Sequence, residues 1–536
     1  MTERSDNNPP FARAAWIRAL ERTASIERNP AVTLPVVIER LAQQFDAATA
    51  LASAEGSISF RELASRCNQY ARWGLSIGIR QGDVIALLMF NCADYVCVWL
   101  GLTRIGATVA LVNTHLAGDA LAHSINTAAP RFMIVGGGLE AEVAAIRADL
   151  AAELGVWVHA ASSRDFAALT SVLGQFAGAR LPASECALPP LDSTALYIYT
   201  SGTSGLPKAA RVSHYRVLQW SQWFAGMLDI SPTDRMYDCL PLYHSVGGVV
   251  AVGATLLGGG AVIIRRRFSA ADFWRDVRDE QCTVFQYIGE LCRYLVNAAP
   301  QPREAEHSLR IACGNGLRAD IWHTFRTRFR IPRILEYYAS TEGNFSLYNC
   351  EGEEGSIGRI PAFLGQRLQV SLVRFDAETG KPWRDAAGRC VRCAVNEVGE
   401  AVGSIPGASD ARIGRFEGYA DRAASAGKVL HGVFESGDSW YRTGDLMRRD
   451  QRGYFYFVDR VGDTFRWKGE NVSALEVSTL LLESRGVLEC VVFGVSVPRT
   501  DGRAGMAALI VAADFDLVSF HAAVATRLPS YARPVF

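Results

Sequence analysis

Residues 194–208 read TALYIYTSGTSGLPK, an apolar run followed by glycines, hydroxyls and one lysine. A short apolar run that ends in a glycine turn reads as a buried strand delivering a loop at its tip. Gly202 and Gly205 let that loop turn tightly and bring bare backbone N–H groups near an anion. Thr200, Ser201, Thr203 and Ser204 add hydroxyl donors, and Lys208 adds positive charge. The spacing is not the Walker pattern, because Leu206-Pro207 separate Gly205 from the lysine. A Gly/Ser loop alone is a polar surface turn. Set directly behind a strand, this loop's glycines, hydroxyls and lysine suggest a phosphate cradle.

Outward from this loop the chain alternates two textures. Toward the N-terminus, FRELASRCNQYARWGLSIG, ADYVCVWLGLTRIGA and AGDALAHSINTAA have helical period, and DVIALLMF, TVALVN and RFMIV are strand-like. A second set runs from 194 to about 340, with a helix near 213–228, the strands RMYDCLP, AVII and TVFQYI, and the helix ADFWRDVRDEQ. This βαβ rhythm predicts an α/β fold of two βα-layered subdomains with mostly parallel sheets. Beyond about 350, LQVSLVRFD and RCVRCAV alternate between turn signals, which predicts a smaller antiparallel β lobe. From GYFYFVDRVGDTFRWKGENVSALEVSTLLLES a strand pair and a helix begin a further α+β unit.

The 536 residues, 49% apolar and 21% charged, suit a globular chain of about three lobes. Basic and acidic residues balance at 55 each, so no global field argues for nucleic acid. Twelve cysteines lie without a disulfide framework, which fits a reducing compartment, and the pair Cys390/Cys393 lacks the partners a zinc site needs. The stretch 246–264 is uncharged and long enough to cross a bilayer, but its glycines favour a buried helix, a glycine turn and a strand. Residues 11–28 predict an amphipathic helix with Phe11, Trp16, Ile17 and Leu20 on one side, docked on the protein in preference to a membrane. Only four basic residues are lysines, namely Lys208, Lys381, Lys428 and Lys468. In so arginine-rich a chain, a retained lysine marks a need for a slim ammonium.

Taken in order, YTSGTSGLPK (199–208), PLYHSVGG (241–248), YYASTEGN (337–344), YRTGDL (441–446) and DRVGDTFRWKGENVS (459–473) resemble the adenylate-forming superfamily of acyl-CoA synthetases, luciferases and adenylation domains. The resemblance spans roughly 30–536. GLTRIGATVALVNTHLAGDALAHSI, CGNGLRADIW, STEGN and GDTFRWKGENVS are most similar to its fatty acid transport protein and very-long-chain acyl-CoA synthetase branch. It implies a large N-terminal domain, 1–459, and a small mobile C-terminal domain, 460–536. It also implies two half-reactions: a carboxylate and ATP give acyl-AMP, and coenzyme A then displaces AMP.

By resemblance, the loop 200–208 holds the β- and γ-phosphates, Thr341 donates to the α-phosphate, and Glu342 binds Mg2+. Tyr338 stacks on adenine, with Gly314, Asn315 and Gly316 along the adenine edge. Asp445 accepts the ribose hydroxyls and Arg460 contacts ribose and phosphate. His244 positions or gates the substrate carboxylate, Gly462 is the hinge, and Lys468-Gly469 line the thiol tunnel.

Two departures stand out. Ala339 replaces the family's usual glycine. No lysine follows Lys468, where the family carries one beyond YARP, so a truncated sequence or a weak first half-reaction is expected. The expected activity is ligation of a long- or very-long-chain fatty acid to coenzyme A. The alternatives are a ligase for another bulky carboxylate (a sterol side-chain or aromatic acid) or a membrane-associated uptake protein with weakened adenylation. Trp220, Trp223, Phe224, Tyr287 and Ile288 are candidates for the acyl pocket, with the core claiming most of them. The reading places the chain in the cytoplasm, with room for peripheral contact with the inner membrane face and for a homodimer.

Overall fold

The computed structural model describes residues 10–29, 31–161, 163–201, 207–376, 379–407, 412, 414–467, 470–497 and 503–536. By its contacts the chain forms two units, one of Met1–Glu342, Tyr348–Gly355 and Glu417–Ser425, the other of Gly343–Leu347, Ser356–Phe416 and Ala426–Phe536.

The first unit is built on two sheets. One has the order Ala167–Ala168, Gly155–His159, Phe132–Gly136, Val84–Leu88, Thr108–Leu111, Thr194–Ser201 and Pro207–Ser213. It is parallel throughout except for its last pair, a hairpin. The other runs Ser346–Asn349, Ile334–Ala339, Ile311–Asn315, Val284–Ile288, Arg235–Asp238, Ala261–Ile264, Thr49–Ser53 and Gly56–Ser59. Strands such as Thr108–Leu111 and Ala261–Ile264 are buried along their whole length, as parallel strands between helices must be. Helix Phe60–Ser76 starts on a capping box: Glu62 N–H donates to Ser59 Oγ (3.2 Å), and Ser59 N–H donates to the Glu62 carboxylate (2.8 Å).

Residues 247–264 are interior throughout, as a π-helical turn (Val246–Ala251), a helix (Val252–Leu257), a glycine turn and the strand Ala261–Ile264. Gly259 has φ +81° and lies over the Phe45 ring, where a Cβ would collide. Among the described residues no helix is long and apolar enough to cross a membrane.

Helix Pro10–Arg28 packs on helix His214–Met227, but through a different stripe from the one expected. Ala12, Ala15, Trp16, Ala19 and Ile26 are buried, whereas Ile17 is 41% exposed. The alanines win because the helices touch backbone to backbone: a Cβ on Gly226 would sit 2.6 Å from Ala19 Cα. Trp16 then meets Trp223 edge-on at 5.7 Å.

In the second unit a five-stranded antiparallel sheet joins Val370–Val373, Gly399–Ile405, Ser439–Arg449 and Val429–His431, with Phe455–Arg460 also paired to Ser439–Arg449. The predicted strand at 389–395 forms only isolated bridges. Its donors are dealt out singly, Cys390 N–H to Val433 O (2.7 Å) and Cys393 N–H to Leu372 O (2.9 Å). Toward the C-terminus the hairpins Thr464–Trp467/Glu470–Ser473 and Val487–Ser496/Arg503–Val511 and the helices Ala474–Leu482 and Leu517–Arg527 gather around Phe465, Trp467, Val477, Leu481, Val492 and Leu528.

Candidate functional site

In the first unit the candidate residues cluster where parallel strands end, the place open α/β sheets offer to ligands. The hairpin Thr194–Ser201/Pro207–Ser213 carries the phosphate-loop motif at its tip, with Thr200 opposite Lys208 and Ser201 opposite Pro207. Gly202, Thr203, Ser204 and Gly205 lie outside the described residues, as do Lys468 and Gly469.

Segment Glu417–Ser425 runs beside this hairpin: Arg211 N–H donates to Gly418 O (2.9 Å) and Ala420 N–H to Ala209 O (2.8 Å). It thereby delivers Tyr419, whose hydroxyl donates to Glu342 Oε1 at 2.8 Å. Burial first, then the Glu342 charge, pushes the Tyr419 phenol well above its ordinary value, so it stays protonated and donating. Glu342 is only 7% exposed. A buried carboxylate held by one neutral donor keeps lone pairs for a cation.

Among the described residues no group of three or more His, Cys, Asp or Glu side chains gathers to enclose a metal. Mg2+ takes one or two protein carboxylates and completes its shell with phosphate and water, and the free lone pairs of Glu342 fit that chemistry.

Thr341 is braced from two sides. Its Oγ1 lies 3.2 Å from Ser245 Oγ, and its carbonyl accepts Arg216 Nη1–H at 3.3 Å. The Arg216 guanidinium is buried and pairs with Glu417 at 3.6 Å. Glu417 also accepts Ser213 N–H (2.8 Å) and Ser213 Oγ–H (2.6 Å), and Ser213 caps the helix that carries Arg216. His244, next to Ser245, stacks obliquely on Tyr243 at 4.6 Å. Its side chain is exposed to solvent, and desolvation by the surrounding protein pushes its pKa down. It is a neutral imidazole at pH 7, suited to positioning.

Gly314, Asn315 and Gly316 close the strand Ile311–Asn315. A Cβ at Gly314 would strike the Tyr287 carbonyl and ring, and one at Gly289 would strike the Gly316 carbonyl. The turn is fixed from below by Glu336. Its Oε1 accepts Gly316 N–H and Leu317 N–H (3.1 Å for the latter), and its Oε2 accepts Tyr287 O–H at 2.5 Å. Tyr338, two residues on, is half-buried at the strand end.

Burial pushes the Glu336 carboxyl up to about 8, against the pull of those three donors. The folded state therefore holds a proton that the unfolded chain has released, and stability falls as pH rises from the ordinary carboxylate range to about 8. Glu336→Gln is expected to flatten that slope in thermal midpoints taken across the interval and to keep the turn, since its amide oxygen accepts both N–H groups. Glu336→Leu orphans three donors and is expected to cost on the order of several kcal/mol.

In the second unit Asp445 and Arg460 face each other in register, with Arg460 Nε 3.5 Å from Asp445 Oδ1. Within the strand Ser439–Arg449 the segment Thr443-Gly444-Asp445 has φ +80° at Gly444 and is clamped from below. Glu400, fully buried and paired with Arg442 at 2.7 Å, accepts Gly444 N–H at 3.1 Å, while Lys428 Nζ donates to Thr443 O at 3.0 Å. Gly462 has open space where a Cβ would lie.

Tyr419, Glu417, Arg216, Ser245 and Glu336 were not among the candidates from sequence. Each reaches the site by tertiary contact; Ser245 lies inside the motif PLYHSVGG, and no local motif marks the other four.

A family model described as AMP-binding enzyme matches residues 38–393. Long-chain fatty acid transport protein 1 of Mus musculus is 38% identical over 515 residues, covering 95% of this chain and 79% of its own. The medium/long-chain-fatty-acid–CoA ligase FadD6 of Mycobacterium tuberculosis is 36% identical over 533 residues, covering 99% and 85%. Among solved structures, the anthranilate CoA ligase AuaEII in complex with anthranoyl-AMP superposes with a TM-score of 0.79 over 94% of this chain and 92% of that one, at 19% identity. At that identity the likeness speaks to the fold.

Proposed function

Since this chain belongs to the AMP-binding enzyme family, we propose that it is an AMP-forming acyl-CoA ligase acting on long- or very-long-chain fatty acids. The observation that carries this reading is the buried Glu342 held by Tyr419 beside the phosphate-loop hairpin, with Thr341 braced next to it. The names of the relatives, a long-chain fatty acid transporter and a medium/long-chain ligase, support the acid class.

A carboxylate resists substitution because oxide is a hopeless leaving group. In the first half-reaction a carboxylate oxygen attacks the α-phosphorus of ATP and pyrophosphate departs. In the second, the coenzyme A sulfur attacks the acyl carbon and AMP departs. The acid is already ionised at neutral pH, so adenylation needs no general base. The work left to the protein is alignment and charge control.

Residues 200–208 would hold the β- and γ-phosphates, and Thr341 Oγ1 would donate to the α-phosphate. His244 would orient the attacking carboxylate. Tyr338 and the 314–316 turn would take adenine, Asp445 the ribose diol, and Arg460 ribose and phosphate. Magnesium, when bound at Glu342, supplies charge neutralisation for the triphosphate. Lys468 and Gly469 would serve the thioester step after residues 460–536 swivel about Gly462. Peripheral contact with a membrane belongs to the same proposal, and co-sedimentation with anionic liposomes tests it.

The decisive experiment measures pyrophosphate release and acyl-CoA formation over straight-chain acids from short to very long. Acid-dependent release peaking at long chains is the expected result. Binding of fatty acid without pyrophosphate release from any of them would overturn the ligase reading in favour of a carrier.

A further inference from the structure

The sheet that ends in Thr341 and Glu342 has a face turned toward helix His214–Met227, where Phe224 packs on Tyr337 with ring centres 4.8 Å apart. The π-helical turn after His244 packs on that helix and on strands Arg235–Asp238 and Val284–Ile288. In such an interior the expected side chains are apolar. Three are not: Gln286 and Asp238 are fully buried and Tyr337 is 3% exposed.

Asp238 Oδ2 makes no hydrogen bond, and the Gln286 amide and the Tyr337 hydroxyl, though they face each other, make none of good geometry. The register puts Asp238 beside Gln286, Gln286 beside Cys313, and Cys313 beside Leu335, with Tyr337 two residues further along the same strand. Partners in a parallel ladder share a face, and so do residues two apart. The three polar side chains therefore share one face, stepping toward the strand ends where Thr341 and Glu342 lie.

An unpaired polar group in the interior costs about 1–3 kcal/mol, and buried amides nearly always find a partner. An unsubstituted alkyl chain offers none. Gln286 can donate and accept, Tyr337 can do either, and Asp238 Oδ1 already accepts Leu240 N–H at 3.2 Å, which leaves Oδ2 for a ligand.

We propose that Gln286, Tyr337 and Asp238 form a polar subsite of the acyl pocket, which takes an acid bearing a hydroxyl or carbonyl oxygen along its chain. The inference rests on the acyl-CoA ligase reading and narrows its substrate class from fatty acids at large to oxygenated ones.

The test compares acids of equal length with and without a mid-chain hydroxyl or keto group, by pyrophosphate release and, independently, by acid binding read from tryptophan fluorescence without ATP. The oxygenated acid is expected to have the higher kcat/KM, on the order of tenfold or more, and the tighter binding. Tyr337→Phe, which removes a single oxygen, and Gln286→Leu are each expected to bring that ratio down toward one. Equal handling of the paired acids by the unaltered protein, or a preference that neither substitution moves, overturns the subsite. If Gln286→Leu does not fold, Tyr337→Phe decides alone. Preferential binding without pyrophosphate release from any acid would uphold the subsite and sink the ligase reading; binding without preference would sink the subsite whatever the turnover.

Discussion

Glu342→Gln is expected to lower kcat for pyrophosphate release by about a thousandfold while leaving the thermal midpoint nearly unchanged. The substitution keeps shape and burial, and the amide oxygen still accepts Tyr419 O–H, now at 2.8 Å from the carboxylate. What disappears is one negative charge at a site only 7% exposed, where water screens little. The loss should be accompanied by a rise in the magnesium concentration needed for half-maximal rate. Tyr419→Phe keeps the charge and removes only the donor that orients it, so a smaller loss, about ten- to a hundredfold, is expected. Single-turnover pyrophosphate release against magnesium checks both. A Glu342→Gln protein within a few-fold of the original rate, with an unshifted magnesium curve, would remove Glu342 from the chemistry.

Much of the frame was legible because burial writes itself into short parallel strands. Val84–Leu88, Thr108–Leu111 and Ala261–Ile264 sit inside apolar runs bounded by turn residues, and nothing else in a chain of this composition fits such runs. Alternation was less reliable. RCVRCAV alternates, yet its backbone groups pair one at a time with different neighbours, so the period records single contacts in an irregular lobe and not a ladder. Helix Pro10–Arg28 offered two stripes, and periodicity alone could not rank large residues against alanines. The choice was made on the other helix, by Gly226 permitting a close crossing.

The site divides along the same line. Thr341 and Glu342 stand in a compact motif. Tyr419 is 77 residues from Glu342, Arg216 is 125 from Thr341, and Glu417 is 204 from Ser213. Their roles come from the long crossing of segment Glu417–Ser425 onto the phosphate-loop hairpin, which no spacing rule announces.

That crossing makes Arg216 the strongest structural lever near the site. Arg216→Met is expected to destabilise the protein by about 3–5 kcal/mol, the cost of leaving a buried carboxylate without its cation. Glu417 is held by Ser213 and Arg216, and both it and Arg216 are nearly inaccessible, at 11% and 7% side-chain exposure. Methionine fills the volume, so the penalty is electrostatic and not a cavity. Glu417→Gln orphans the other partner and should cost a similar amount. The double variant removes both charges and should fall short of the summed losses by about 1–3 kcal/mol, because neither partner is then stranded. Activity should fall in Arg216→Met beyond what the unfolded fraction explains, since the Thr341 carbonyl loses its donor at 3.3 Å and the hydroxyl proposed to donate to the α-phosphate loses its brace. Urea midpoints for the four proteins, with kcat measured well below each transition, separate the two effects. Additive losses would mean that Arg216 and Glu417 act independently.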